Sequence, residues 1–371
     1  MTGIDDYAAS FSEEPGFLDF AAFGPTGTAV AGELASLTHV LEHARPGAAG
    51  ALFEQRPRVL RAVSALTGFD ASQIVFQPNT TQGLMHAVFG LTGGVLISPA
   101  EFPSLPFAAE RARAALGAVQ PVWLRTEHGR VTPGDIREQL TPSVVAVGVS
   151  LVDFRTGYLA DLEGIRQVIG DRLLIVDAMQ GFGVVDAPWE VADVVAAGGQ
   201  KWVRAGWGTG FLALGERALE HLTPVWSGIN GTDVEGTPMD GVPEPSRSAA
   251  AFQVSNPDPL AQARLAGALE QLAEVGVAAV NGRIAERVSE IIDLADEFAL
   301  PVVSPRAEHE RAGIVVLEPE PERLTALAAS LVNHGVSATV RAGTARLSAH
   351  ASTDTETLAM LRAALLSWAT S

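Results

Sequence analysis

The stretch VVAAGGQKWVRAGWGTGFLAL (194–214) decides the fold. It begins and ends as a continuous apolar run, and a run without polar alternation reads as a strand buried on both faces. Between the two runs lie paired glycines, a turn and Lys201, the only lysine among 25 basic residues. Arginine fills most surface and ion-pairing roles, but its guanidinium stays charged and cannot attack a carbonyl. A chain that otherwise writes arginine and keeps one lysine beside a strand end points to work for a neutral amine. Such amines form Schiff bases, and burial brings their pKa into a usable range. Chance retention is the competing explanation, and the surrounding sequence weighs against it.

Working outward, similar apolar runs recur at QIVFQP (73–78), GGVLISP (93–99), SVVAVGVS (143–150) and RLLIVDA (172–178). Helical spacing separates several of them, as in TTQGLMHAVFGL, LPFAAERARAAL and LEGIRQVI. Strand–helix alternation of this kind predicts an α/β fold with a mostly parallel sheet between helices, which binds ligands at the carboxyl ends of its strands. Beyond about residue 224 a Gly-, Pro- and Asp-rich passage reads as a long loop. Long helical patterns follow, and then the short strands AGIVVLEP, VSATVRAG and TARLSAH. The expected division is a large domain over 16–250 and a small α+β domain over 251–371, with residues 1–15 packing on the latter.

The strand RLLIV ends on Asp177, and a carboxylate there is costly unless a cation or donors meet it. A pyridinium nitrogen is such a cation, and pyridoxal phosphate needs an acidic partner at that atom. Gln180 follows within reach of the cofactor's phenolic oxygen. Asn79, Thr80 and Thr81 open the helix after the first strand, where free N–H groups and hydroxyls suit a phosphate or serve only as caps. The formal charge of −18 argues against nucleic-acid and anionic-membrane partners. With no cysteine in the chain, disulfides and thiolate chemistry are excluded. MTGIDDYAASFSEEP shows no signal-peptide pattern, so a cytoplasmic protein is expected. No metal site is expected either.

VDAMQGFG, GGQKWVRAGWGTGF and SLVDFRTGYLADL together resemble the class V aminotransferase family of fold-type I pyridoxal-phosphate enzymes. That family includes cysteine desulfurases, isopenicillin-N-epimerase-like proteins and kynureninases. The resemblance implies a seven-stranded, mostly parallel sheet in the large domain. It also implies that Lys201 binds the cofactor covalently, Asp177 meets the ring nitrogen and Gln180 the ring hydroxyl. Thr80, Thr81 and Gln200 fall at phosphate contacts, and Phe102 falls where an aromatic or histidine stacks on the ring. Arg346 matches the grip on the substrate α-carboxylate. Ser255 and Asn256 match a contact from a neighbouring subunit, which implies a homodimer. Asp153 falls near the cofactor.

The sequence also departs from the family pattern. Because no cysteine is present to carry a persulfide, cysteine desulfurase activity is expected to be absent. Phe102 cannot transfer protons as histidine does, and Gly198 and Gln200 stand where Ser and His usually flank the lysine. The tyrosine and Trp-Asp signatures of kynureninases are missing. The leading expectation is an aminotransferase for a small amino-acid substrate. A β-lyase or an epimerase is the alternative, and a non-catalytic cofactor-binding scaffold is a further one. His350 is expected at a strand-end surface or the site mouth, while Arg155 and Arg341 are candidates for a second substrate carboxylate.

Overall fold

The computed structural model describes residues 3–370 except 128, 235, 237, 239 and 240. The large sheet contains β1 (Ile74–Phe76), β2 (Gly93–Ile97), β3 (Val119–Trp123), β4 (Val144–Ser150), β5 (Leu173–Asp177), β6 (Val194–Gly198) and β7 (Gly210–Leu214). Its seven strands run in the order β1-β7-β6-β5-β4-β2-β3. Only β7 runs against its neighbours; the other pairings are parallel. The pleat sends Leu174 and Val176 of β5 into one apolar cluster and Leu173 and Ile175 into another, so both faces are dry. Each such side chain contributes about 1.5–3 kcal/mol on full burial.

The sequence reading passed over β3, which carries Pro121 and is partly exposed. Proline cannot donate to a ladder, and this strand sits at the sheet edge, where the missing N–H does no harm.

The second sheet is antiparallel, in the order β8 (Ile314–Leu317), β10 (Thr344–Ser348), β9 (Thr339–Arg341). Helices Leu324–Asn333 and Thr355–Ala369 pack on each other, and the former also contacts β10. Helix Val277–Glu297 contacts Thr355–Ala369 and β8, while Pro259–Val275 lies against Thr28–His43 and Gln55–Thr67. The short helix Ile4–Ala9 touches both Pro259–Val275 and Val277–Glu297.

The following segment reaches across the molecule. Phe17 and Asp19 bridge to Ser337 and Ser348 in parallel. Gly24 then donates its N–H to the Gln200 carbonyl at 2.8 Å. A Cβ on Gly24 would fall 2.1 Å from the Lys201 carbonyl oxygen, so only glycine permits this approach. One extended segment therefore touches the small sheet and the turn that carries the lysine.

Candidate active site

β4, β5 and β6 end side by side, and their carboxyl ends supply the centre of the site. Ser150 is the register partner of Asp177, and Asp177 that of Ala196. Past β6 the chain turns sharply: Gly199 donates to Thr209 O at 2.8 Å, and Ala205 donates to Gly199 O at 2.7 Å. Lys201 projects from this turn with its Nζ 5.6 Å from the Phe102 ring centroid. Burial lowers the Lys201 pKa to about 8; Asp177 opposes the shift, and Arg346 and Arg341 add to it.

Asp177 is 4 % exposed. Burial raises its pKa to about 6, against the Met179 N–H at 3.0 Å and the Lys201 charge, which both favour the carboxylate. Phe102 packs edge-on against Phe154 at 5.2 Å and keeps 39 % exposure, leaving a ring surface open beside the amine.

Thr80 and Thr81 begin helix Thr80–Phe89, whose cap is the Asn79 side chain accepting from Gln82 N. The Thr80 hydroxyl reaches Met179 Sδ at 3.1 Å, and Thr81 shares a hydrogen bond with Ser104. Gln200 Oε1 is buried without a hydrogen-bond partner among the described residues. A Cβ on Gly198 would meet Gln200 Oε1 at 2.5 Å and both Met179 Sδ and Thr80 Oγ1 at 3.0 Å. Glycine thus keeps open a small polar hollow between the helix start and the lysine turn. A half-turn of the Gln200 amide presents NH2 to that hollow, and the helix start offers hydroxyls and N–H groups. This donor set suits a phosphate, and the amine with its buried carboxylate suits a pyridine aldehyde.

The sequence matches the family Aminotransferase class-V over residues 39–371. The chain belongs to the class V aminotransferase family. No curated protein matches it. Among solved structures it is similar to an apo cysteine desulfurase from Thermococcus onnurineus NA1, at 19% identity and TM-score 0.82, covering 94% of this chain and 93% of that one. It is also similar to a lysine-to-alanine mutant of C-DES with glycine covalently linked to the PLP cofactor. That likeness has 18% identity and TM-score 0.85, covering 95% of this chain and 96% of that one. The complex of the cystine C–S lyase C-DES with its product cysteine persulfide aligns equally well, at 18% identity and TM-score 0.85, covering 95% and 97% of the two chains. The architecture is that of the fold-type I transferases of this class V family.

One expectation is overturned. The absence of cysteine excluded cysteine desulfurase activity, yet this fold is shared over nearly its whole length with a cysteine desulfurase and with a lyase that yields cysteine persulfide. A missing thiol removes only a protein-borne sulfur acceptor, and the fold likeness does not rest on that group.

The remaining positions inferred from the class V resemblance fall as follows. Gln180 is buried with both amide ends engaged: Nε2 donates to Ala21 O at 3.1 Å and Oε1 accepts from Trp202 Nε1 at 2.8 Å. The Asp153 carboxylate is committed to its own turn, accepting from the backbone N–H groups of Arg155 and Thr156, the Thr156 hydroxyl and the Arg155 guanidinium. Arg346 donates to Phe154 O at 3.0 Å and to Thr339 Oγ1 at 3.2 Å, with Asp19 at 3.6 Å; its Nε is buried without a partner among the described residues. Ser255 and Asn256 are exposed, and Asn256 Oδ1 accepts from Asn230. His350 is not a surface residue: it is 1 % exposed, with its ring against Phe20, Phe11 and Tyr7. Burial, with the Arg204 charge beside it, holds that imidazole neutral.

Sequence reasoning missed several groups. Glu101, next to Phe102, is 8 % exposed and accepts from Ser150 N at 3.1 Å. Burial raises its pKa to about 8, and the Asp153 and Asp177 charges push the same way. Arg204 is fully buried and joins Glu13, Ser352 and Pro25 O. Nothing in the sequence distinguishes either residue from the chain's other acids and arginines. The expectation of no metal site rested on the absence of an HxxxH pair, and HVLEH (39–43) is one: His39, Glu42 and His43 bring ligand atoms within 4.8 Å of one another on the exposed end of helix Thr28–His43.

Proposed function

We propose that this class V family member is a pyridoxal-phosphate enzyme acting at Cα of a small amino acid, with aminotransferase as its principal activity. The observation that carries the reading is a single lysine amine, lowered to about 8 by burial, beside a buried carboxylate and an open aromatic face. When bound, the cofactor supplies a carbonyl for the amine and an electron sink for the bond broken at Cα. Asp177 holds a proton at the ring nitrogen. The helix start at Thr80 and Thr81, together with Gln200, anchors the phosphate. Arg346 orients the substrate by its α-carboxylate, which a guanidinium grips through two parallel hydrogen bonds. Lys201 Nζ, once free, accepts the Cα proton and returns it elsewhere. Phe102 offers no proton, so the lysine does this work alone.

The family reading also supports a homodimer in which Ser255 and Asn256 face the neighbouring subunit. β-Elimination is the second reading, favoured by the likeness to the cystine C–S lyase. Purified holoprotein is expected to show a visible band that borohydride bleaches while fixing the cofactor onto Lys201. With amino donors the cofactor is expected to convert to its amine form. Release of ammonia and a 2-oxo acid or thiol without that conversion selects the lyase. A colourless protein that takes up no cofactor defeats both.

A further inference from the structure

Three arginines lie around Phe154 beside the site, and they differ in what neutralises them. Arg155 is paired with Asp153 at 2.8 Å. Arg346 has Thr339, Phe154 O and, at 3.6 Å, Asp19. Arg341 has no ion pair and no side-chain hydrogen bond among the described residues; its guanidinium lies over the Phe154 ring, 5.2 Å from the centroid. Arg341 is exposed, so water solvates its charge; what sets it apart from other unpaired arginines is its place over Phe154 beside the site.

The hairpin geometry gives that free charge a direction. Arg346 pairs across the strands with Thr339, and Thr344 pairs with Arg341. Side chains two apart on a strand share a face, so Arg341 and Arg346 project from the same side as diagonal neighbours, with Cα atoms about 7–8 Å apart. The turn between them is the two-residue Ala342–Gly343, with φ of 50° and 85°, the tight form that fixes hairpin register. Phe154, which Arg341 overlies and whose carbonyl Arg346 meets, packs on Phe102 at 5.2 Å, and the Phe102 ring lies 5.6 Å from Lys201 Nζ, so both arginines stand on the reacting side. Two like charges on one face repel, and one half-buried Asp19 is the acid that meets them.

The geometry points to a distal-anion subsite at Arg341: the substrate class is an α-amino acid with an acidic side chain, its α-carboxylate on Arg346 and its second carboxylate on Arg341. This rests on the reading of the site given above. Phe154 holds the guanidinium in place and covers the apolar stem between the two carboxylates. A four- or five-carbon amino diacid spans the two arginines, whereas its amide analogue leaves Arg341 with a neutral partner and gains far less.

Titration of the holoprotein's visible band with aspartate, asparagine, glutamate and glutamine tests this. The acids are expected to bind at least about tenfold more tightly than their amides, with the margin shrinking at high salt. In Arg341→Gln the ratio is expected to collapse toward one, and Arg341→Lys is expected to restore part of it. Equal binding of acid and amide by the wild type, or a preference that survives in Arg341→Gln, overturns the assignment. If no amino acid moves the band, the proposed chemistry has failed. The subsite is then tested separately by melting: glutarate should raise the Tm of the wild type but not of Arg341→Gln, and butyrate should raise neither. Equal shifts with the two probes overturn the subsite as well.

Discussion

Near the Lys201 amine two carboxyls are held above their ordinary range by burial, and different neighbours meet them. Asp177, raised to about 6, feels the lysine charge; Glu101, raised to about 8, feels Asp153 and Asp177 instead. Glu101 is therefore the protonated member at neutral pH, and its folded-state pKa lies above the ordinary value of 4.5. A raised pKa means that the folded protein binds the extra proton. The associated stability is complete below pH 4.5 and is lost as pH rises through about 8. Glu101→Gln removes that dependence, worth on the order of a few kcal/mol. Its melting temperature is expected to match the wild type near pH 4.5 and exceed it at pH 8 and above; parallel melting curves across that span would show the carboxyl to be ionised throughout. Asp177→Asn acts on the amine. Since Asp177 raises the Lys201 pKa, its loss should carry the pKa of the free amine below about 8, read from the pH dependence of amine labelling in the cofactor-free protein. Turnover should fall by about 10²-fold or more, because the ring nitrogen loses its partner.

Among the elements, those buried on both sides were the legible ones. β2, β4, β5, β6 and β7 are apolar at nearly every position because both faces are covered, and that leaves a mark no loop imitates. β3 left no such mark, since half its surface meets water and proline interrupts it. Helix ends are governed by subtler terms. Helix Thr28–His43 closes on Ala44 in the left-handed conformation, φ 38°, where a Cβ is strained and glycine is not. Ala44→Gly is expected to stabilise the protein by about 0.5–1 kcal/mol, read as a higher urea midpoint at unchanged slope. The Asp153 turn shows the opposite limit of sequence reading. The family resemblance sets Asp153 near the cofactor, and the structure shows its carboxylate satisfied by groups two and three residues away. The sequence shows where an acid stands and not which donors reach it first.

At the scale of the whole molecule, the site depends on a junction that sequence order conceals. Arg204, in the same turn as Lys201, is buried with Glu13, Ser352 and the Pro25 carbonyl about its guanidinium and the Phe11 ring 3.6 Å from it. It adopts a φ of 61°, which a residue of this size keeps only when its surroundings hold it there. Removing one partner of such a pair leaves an uncompensated buried charge. Glu13→Gln is expected to cost about 3–5 kcal/mol in chemical unfolding and to weaken cofactor retention in dialysis, because the Lys201 turn loses its brace. A stability change below about 1 kcal/mol would mean that water reaches the guanidinium.

Glu13 lies 191 residues before Arg204 and 339 before Ser352. At a synthesis rate of about 5–20 residues per second, roughly 20–70 s separate the first of these groups from the last. For the last 148 residues of that span, about 7–30 s, the lysine turn exists while its Arg204 guanidinium still lacks the Ser352 hydroxyl. Capture of the vitamin-derived aldehyde thus belongs to the finished polypeptide, and an interrupted translation product, however well its central sheet has formed, makes a poor competitor for it.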